Sequence, residues 1–137
     1  MGPMKPIDER IAEFLSGSVF AVAGASNRRH KYGNMVLRCY LENGRRAHPI
    51  NPLEDVVEGQ PAFKTLADLP ERVHGLSIIT PPEVTLRLVE DAARLEINRL
   101  WMQPGAESRA ALKLAEELGL DVIAGGPCLL VVLGFHG

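Results

Sequence analysis

The chain has 137 residues, a formal net charge of −2 at pH 7, 46% hydrophobic residues and 23% charged residues. This length fits one ordinary domain with a single hydrophobic core, and this composition excludes disorder over most of the chain. A net charge of −2 provides no general attraction to nucleic acid or to anionic lipid, so neither is an expected partner.

The first third of the chain predicts a helix, a strand and a second helix. Apolar residues at helical spacing predict an entry helix over Ile7–Leu15, with Asp8 as its capping residue. The uniformly apolar residues 18–23 predict a strand that is covered on both faces. A helical pattern then resumes at Asn34 and ends at Gly44, the residue type that is favoured after a helix.

The middle of the chain predicts further strands and one short turn. The segment RRAHPINP, residues 45–52, predicts a second strand. Residues 60–63 predict a short edge strand, and residues 66–69 a single helical turn. GLSIIT, residues 75–80, predicts another buried strand, because it is apolar throughout.

The last part of the chain repeats the alternation of helix and strand. Thr80-Pro81-Pro82-Glu83 has the pattern of a capping box in which Thr80 caps the following helix. RLWMQ, residues 99–103, predicts the next strand, and a helix then ends at Gly119. DVIAG, residues 121–125, predicts the last strand.

Strands that alternate with helices predict parallel pairing through right-handed crossovers, with helices on both faces of the sheet. The expected fold is therefore a Rossmann-like α/β domain, a doubly wound parallel sheet in three layers, α/β/α. We expect one domain over residues 1–137 and the strand order 3-2-1-4-5-6, with the piece at residues 61–63 as strand 3. The tail, residues 129–137, is too apolar for solvent and is expected to pack on its own core or on a second copy.

Five loops rich in small and polar residues follow the predicted strands. In a sheet of this kind the ligand lies beyond the carboxyl ends of the strands, where the winding reverses, so these loops predict a binding edge. Plain turn chemistry is the alternative, because loops have this composition anyway. The loops are Gly24-Ala25-Ser26, Asn51-Pro52, Thr80-Pro81-Pro82, Gln103-Pro104-Gly105 and Gly125-Gly126-Pro127-Cys128.

The loop after the first strand carries the sharpest signal. Small residues let the backbone approach a phosphate, while the N–H groups of the following helix point at it. Ser26 adds a hydroxyl donor, and Arg28 and Lys31 supply positive charge unless they are merely solvated loop cations. Asn51 stands where NAD enzymes place an acid, and an amide tolerates a ribose phosphate, which NADP and coenzyme A both carry. The loop lacks the G-x-G-x-x-G of dinucleotide enzymes.

Catalytic groups and metal ligands are scarce. The four histidines are scattered, and no nucleophile, base and orienting acid stand together at the strand ends. Cys39 and Cys128 are too few and too far apart for a disulfide framework or a metal site. Cys128 is the one reactive side chain at the predicted edge, and an inert thiol is its alternative. With no signal peptide and no apolar run of roughly 20 residues, we expect a cytoplasmic protein.

Six motifs in this order and spacing resemble a known family: VAGAS, KYGN, PINP, ITPPEVT, WMQPGAES and AGGPC. Over residues 18–128 the chain resembles the small single-domain coenzyme A-binding proteins, which are similar to the coenzyme A-binding domain of the succinyl-CoA synthetase alpha subunit. The resemblance implies a Rossmann-like fold with coenzyme A lying over the strand ends. The synthetase's phosphohistidine and second substrate domain have no counterpart in these residues, so ligase activity of this chain alone is not expected.

The resemblance also implies a role for individual residues. The phosphates contact the first loop at Gly24, Ala25 and Ser26. Arg28 and Lys31 supply positive charge. The adenosine and ribose site is formed by Asn51, Pro52, Thr80 and Pro81. The pantetheine arm faces Gln103 and Gly105. Separately from the resemblance, the position of Cys128 at the predicted edge makes it a candidate for a mixed disulfide with the coenzyme A thiol.

Three functions follow from these observations. The leading one is a non-catalytic protein that binds coenzyme A or acyl-CoA. The same fold and basic loop also suit an NADP-linked oxidoreductase or a dinucleotide sensor. The third is a protein interaction module tuned by its ligand, with the apolar tail as the contact for a second copy of the chain or for another protein.

Overall fold

The structure is a computed structural model that describes residues 5–137. Its four α-helices are α1 (Ile7–Leu15), α2 (Tyr32–Glu42), α3 (Pro82–Arg94) and α4 (Arg109–Glu117). Its strands are β1 (Val19–Ala23), β2 (Arg46–Ile50), β3 (Val56–Val57), β4 (Gln60–Pro61), β5 (Gly75–Ile78), β6 (Arg99–Met102) and β7 (Asp121–Ile123). A 3₁₀ turn covers Leu66–Asp68, and a short π-helix covers Leu130–Gly134.

Five strands form one parallel sheet in the order β2-β1-β5-β6-β7. The central strand, β1, is buried at all five positions, as its uniformly apolar sequence predicts. Its side chains alternate between two cores. Ala21 packs with residues of α3 and α4, whereas Phe20 packs with residues of α1 and α2. The predicted Rossmann-like arrangement of three layers is thus confirmed.

The predicted third strand is the one part of the sheet that differs. Ile50 and Phe63 form a single parallel bridge at the edge beside β2, where the third strand was expected. The Phe63 N–H donates to the Pro49 carbonyl, and the Asn51 N–H donates to the Phe63 carbonyl. The preceding residues turn away into an antiparallel hairpin, β3–β4. The sheet therefore has five strands, and the strand order is otherwise as predicted.

Two predicted helix caps are wrong. The N-cap of α1 is Pro6, and Asp8 lies inside the first turn. The N-cap of α3 is Pro81, without a side-chain cap, and the Thr80 hydroxyl pairs instead with the Thr85 hydroxyl at 2.8 Å. The prolines explain the second error, because a residue that precedes a proline is disfavoured in the helical region; Pro81 is extended, with a ψ of 148°, and the helix begins only at Pro82.

The apolar tail packs on its own core. Leu129 is fully buried with the residues of α1 and α2. The Gly134 carbonyl accepts a hydrogen bond from the Asn43 side chain, and the Arg38 guanidinium lies 5.0 Å from the centre of the Phe135 ring. Val131 stays 80% exposed. The start of the tail thus packs within the chain, whereas the expectation of a contact with a second copy stays a prediction.

The core holds one isolated polar pair that links α2 to the sheet. The Tyr40 hydroxyl lies 2.6 Å from the Ser77 hydroxyl, and both residues are fully buried. Burial raises the pKa of Tyr40 above its usual value, so the phenol stays neutral. Because neither hydroxyl has water to replace its partner, each depends on the other.

We predict that Tyr40→Phe lowers the free energy of unfolding by about 1–2 kcal/mol, because it leaves the Ser77 hydroxyl buried without a partner. Ser77→Ala should cost a similar amount. The double variant should cost less than the sum of the two single variants, as measured by urea denaturation. Additive losses would show that the pair contributes nothing as a pair.

Candidate functional site

The loop after β1 lies in direct backbone contact with the start of α2. Gly24 has a φ of +90°, and a Cβ there would lie 2.1 Å from the Ile79 carbonyl oxygen. A Cβ at Gly33, in the first turn of α2, would lie 1.9 Å from the Gly24 carbonyl oxygen. Neither position has room for a side chain. The two glycines let the loop, the helix and the end of β5 converge.

An open cleft of about 440 Å³ lies at this convergence. It brings together six of the residues that the sequence predicted for the site: Gly24, Ala25, Ser26, Arg28, Lys31 and Asn51. Three further residues line it that the predicted site did not include: Tyr32, Gly33 and Ile79. Gly33 was within reach of sequence analysis, because it belongs to the KYGN motif at the predicted helix start.

The cleft has the electrostatic character of an anion site. Arg28 and Lys31 are exposed, and neither forms an ion pair with any residue between 5 and 137. No side chain caps the N-terminus of α2. The first N–H groups of a helix have no acceptor within the helix, and they carry the positive end of its dipole. Two cations and a helix N-terminus therefore converge on this cleft.

Ser26 shapes the turn that leads to these cations. Its hydroxyl oxygen accepts a hydrogen bond of 3.0 Å from the Arg28 N–H. This short-range bond is typical of a serine turn and holds the backbone in place. The side chain is half-buried at the surface of the cleft.

Asn51 ties the loop after β2 to the first loop. Its side-chain amide donates to the Ala25 carbonyl at 2.8 Å. Its side-chain oxygen accepts from the backbone N–H groups of Leu53 and Glu54, at 2.7 and 3.0 Å. An aspartate could not make the first of these bonds, because a carboxylate has no donor. Pro52 follows as an exposed residue.

A buried asparagine of α2 forms a hydrogen bond to the first loop. Asn34 is fully buried, and its amide donates to the Ser26 carbonyl at 2.7 Å and to the Glu58 carboxylate at 2.9 Å. Its oxygen accepts from the Arg38 guanidinium at 2.7 Å. Glu58 also pairs with Arg29 at 3.5 Å.

The β3–β4 hairpin is bound to the first loop through the same group of residues. The Asn27 side chain donates to the Val56 carbonyl at 2.8 Å and accepts from the Glu58 N–H at 3.3 Å. Sequence reasoning missed this network. Its members lie far apart along the chain, and no local pattern links them.

Thr80 lies beside the first loop, whereas Pro81 is exposed at the start of α3. A Cβ at Gly24 would lie 3.3 Å from the Thr80 methyl carbon. Neither Thr80 nor Pro81 lines the cleft described above. They follow β5, which lies next to β1 in the sheet.

The loops after β6 and β7 form a second cluster at the same edge of the sheet. The Gln103 side chain accepts from the Leu129 N–H at 2.8 Å and donates to the Cys128 sulfur at 3.3 Å. It is only 3% exposed. Gly105 has a φ of +97° and is exposed. Gln103 thus connects two loops, and the cleft of the first loop does not include it.

The two cysteines have different surroundings. Cys39 is fully buried, and this burial raises the pKa of its thiol to about 11, with smaller contributions from Glu42 and Cys128. Cys128 is a half-buried free thiol at the carboxyl edge of the sheet. Cys39 therefore stays protonated at neutral pH, as expected for a core thiol.

Residues 5–137 contain no cluster of three or more His, Cys, Asp or Glu side chains that could hold a metal ion. None of the helices in this part of the chain is long and apolar enough to cross a membrane.

Comparison with known proteins shows which proteins this chain is similar to. The CoA binding domain family matches residues 18–134. An ADP-forming acetate–CoA ligase of Archaeoglobus fulgidus is 25% identical over 121 residues, which cover 81% of this chain and 18% of the ligase. The chain thus spans about a fifth of the length of this curated relative.

Solved structures share the fold at different lengths. A conserved hypothetical protein from Pyrococcus furiosus is 34% identical with a TM-score of 0.79, covering 82% of this chain and 97% of its own. A dinucleotide-forming acetyl-coenzyme A synthetase of Candidatus Korarchaeum cryptofilum, solved with phosphate and ADP, is 26% identical with a TM-score of 0.70. That match covers 78% of this chain and 25% of the synthetase. The fold therefore occurs both in small proteins and as part of large ones.

We predict that Gly33→Ala destabilises the protein by about 2 kcal/mol or more, as measured by urea denaturation, because its methyl group would collide with the Gly24 carbonyl. Alanine ordinarily stabilises a helix by about 1 kcal/mol relative to glycine. A decrease in the free energy of unfolding would therefore come from the collision with the Gly24 carbonyl.

Gly44→Ala is the matched control, because a Cβ at Gly44 meets no atom within 4 Å. It should cost only the strain of its left-handed backbone, about 1 kcal/mol. Equal stability of Gly33→Ala and the original protein would show that the helix and the loop can separate freely.

Proposed function

Because the chain belongs to the CoA binding domain family over residues 18–134, we propose that it binds coenzyme A or an acyl-CoA at the carboxyl edge of its sheet and catalyses no reaction itself. The observation that carries the proposal is the cleft beside the first loop. There, two glycines, an uncapped helix N-terminus and two cations that form no ion pair within the described part of the chain line the same space.

The phosphates of the ligand lie at Gly24, Ala25 and Ser26 in this proposal. The absence of a side chain at Gly24 and Gly33 lets the N-terminus of α2 lie against the first loop, and the N–H groups of α2 supply donors. Arg28 and Lys31 neutralise the phosphate charge from the exposed side. Since neither cation is held by a carboxylate of the described chain, neither must break an ion pair to bind an anion.

The adenosine lies between Asn51-Pro52 and Thr80-Pro81. These pairs follow β2 and β5, the two strands that flank β1 in the sheet. Asn51 supports this placement because it presents no carboxylate at the end of β2, so a phosphate on the ribose meets no repulsion there. Its own hydrogen bonds keep the loop in position before the ligand arrives.

The pantetheine arm runs toward the loops after β6 and β7. Gly105 is exposed there, and Gln103 orders the loop that carries Cys128. In this orientation the thiol end of the ligand lies far from the cations. An acyl group therefore changes the affinity less than a change in the phosphates does.

The proposal is tested by isothermal titration of the protein with coenzyme A, acetyl-CoA, NADP and NAD in parallel. We expect coenzyme A and acetyl-CoA to bind with similar affinity at one site per chain, and NAD to show no binding. Removal of the ribose phosphate, in dephospho-coenzyme A, should weaken binding by about tenfold, equivalent to one charge-assisted contact. Tighter binding of NADP than of coenzyme A would favour a dinucleotide enzyme or sensor, and no binding of any ligand would refute the assignment.

We predict that Ser26→Asp abolishes coenzyme A binding, because it places a carboxylate against the phosphates. An aspartate oxygen can still accept the hydrogen bond that Ser26 takes from the Arg28 N–H, so the turn should persist.

Ser26→Asn is the matched control, since it has the same shape as the aspartate without the charge. It should retain most of the affinity in the same titration. If both variants bind as the original protein does, the phosphates do not lie at this loop.

A further inference from the structure

A second groove, distant in the chain from the first loop, runs along α4 and the outer edge of β7. Its volume is about 700 Å³. Four half-buried apolar side chains line it: Leu112, Leu120, Val122 and Ala124. Charged side chains of α4 border this apolar lining, among them Arg109, Lys113 and Glu116.

The charges of α4 are arranged against its own dipole. Arg109 is the first residue of the helix, and Glu116 and Glu117 are the last two, so the first turn has no acid and the last turn has no base. A helix is stabilised by the opposite arrangement. The neighbouring helix α3 has that arrangement, with Glu83 in its first turn and Arg94 in its last.

No ion pair among the described residues offsets the charges at the two ends of α4. Neither Arg109 nor Glu116 forms an ion pair with any residue between 5 and 137. The two residues lie seven positions apart on one face of α4, a rise of about 11 Å, which is too far for them to pair with each other. Leu112 lies between them on the same face.

The charge pattern of α4 is complementary to that of a second α4 helix that runs in the opposite direction. If a second α4 lies antiparallel across a two-fold axis near Leu112, then Arg109 of each copy meets Glu116 of the other. The two Leu112 side chains meet at the centre, over the apolar lining of the groove. A two-fold contact requires one surface that is complementary to its own copy, and this face meets that requirement.

The edge of the sheet does not offer a competing mode of contact. β7 is the last strand of the sheet, and an exposed edge of this kind would accept another strand. The Arg10 guanidinium of α1, however, donates a hydrogen bond to the Val122 carbonyl at this edge. An added strand would have to displace this bond, which leaves the side chains of α4 as the contact surface.

We propose that the α4 face is a self-association surface, in which two copies of this chain pair their α4 helices antiparallel through reciprocal Arg109–Glu116 ion pairs around Leu112. The proposal does not depend on the ligand, because the α4 groove shares no lining residue with the cleft at the first loop.

Sedimentation equilibrium of the full chain over a range of concentrations tests the proposal. The original protein should reach the mass of two chains. Arg109→Glu and Glu116→Arg should each weaken the self-association by about tenfold or more, because each change places like charges opposite one another in both ion pairs.

The decisive sample is an equal mixture of the two variants. In a mixed pair, the glutamate introduced by Arg109→Glu in one chain faces the arginine introduced by Glu116→Arg in the other. The unchanged Glu116 of the first chain faces the unchanged Arg109 of the second, so both contacts again join opposite charges. Association should therefore return to near its original strength. A defect in the folding of either variant could not produce this recovery.

The matched control is Arg87→Glu, at an exposed position of α3. It makes the same change in net charge as Arg109→Glu, but it lies outside the α4 groove. It should leave the self-association unchanged.

Three outcomes would overturn the proposal. The original protein could remain a single chain at every concentration, or the mixture could associate no better than either variant alone. The third is a pair of chains that resists both charge reversals but separates on Val131→Asp, which would place the contact on the exposed part of the tail.

Discussion

The contact between two glycine backbones determines the geometry of the candidate site. Gly33 carries no side chain where α2 passes the Gly24 carbonyl, and a Cβ there would lie only 1.9 Å from that oxygen. A Cβ at Gly24 would in turn lie 2.1 Å from the Ile79 carbonyl oxygen at the end of β5. Any side chain at these positions would push the helix away from the sheet. The position of the helix N-terminus over the strand ends therefore requires glycine, which has no side chain, at both positions.

The polar groups around this contact hold the first loop against the helix and the sheet. Asn34 holds the loop from the helix, and Asn51 holds it from the end of β2. Glu58 accepts a hydrogen bond from Asn34 and so links the β3–β4 hairpin to α2. The Val56 carbonyl of the same hairpin accepts a hydrogen bond from the Asn27 side chain. The same hairpin accounts for the shortened sheet. Residues 56–61 pair with each other over the first loop, so only Phe63 remains to pair with β2.

The proposed phosphate site and the proposed self-association surface lie in different parts of one fold. The first-loop cleft combines two exposed cations with a helix N-terminus, whereas the α4 groove combines apolar side chains with charges of both signs. A helix dipole acts in each place. At α2 it favours an incoming anion, and at α4 it leaves Arg109 and Glu116 poorly stabilised by their own helix.

The order of helices and strands was predictable because it depends on local patterns. The apolar run of β1 and the helical spacing of α1 each occupy fewer than a dozen residues, and both appear in the structure at nearly the predicted positions. The candidate site was predictable in part for a similar reason, since the carboxyl ends of parallel strands meet at one edge. Thr80 shows where local patterns fail, because its hydroxyl pairs with Thr85 rather than capping α3.

By itself, the sequence determined the alternation of elements, the parallel sheet and the loops at its carboxyl edge, because periodicity, turn residues and crossover handedness are properties of short segments. Only the tertiary structure decided that Asn34 and Glu58 support the first loop, that strand 3 shrinks to one bridge, and that Arg109 and Glu116 lie beside an apolar groove without an ion pair to residues 5–137. Each of these depends on distances between residues that are remote in the chain or on the absence of a neighbour, and no local pattern encodes either one.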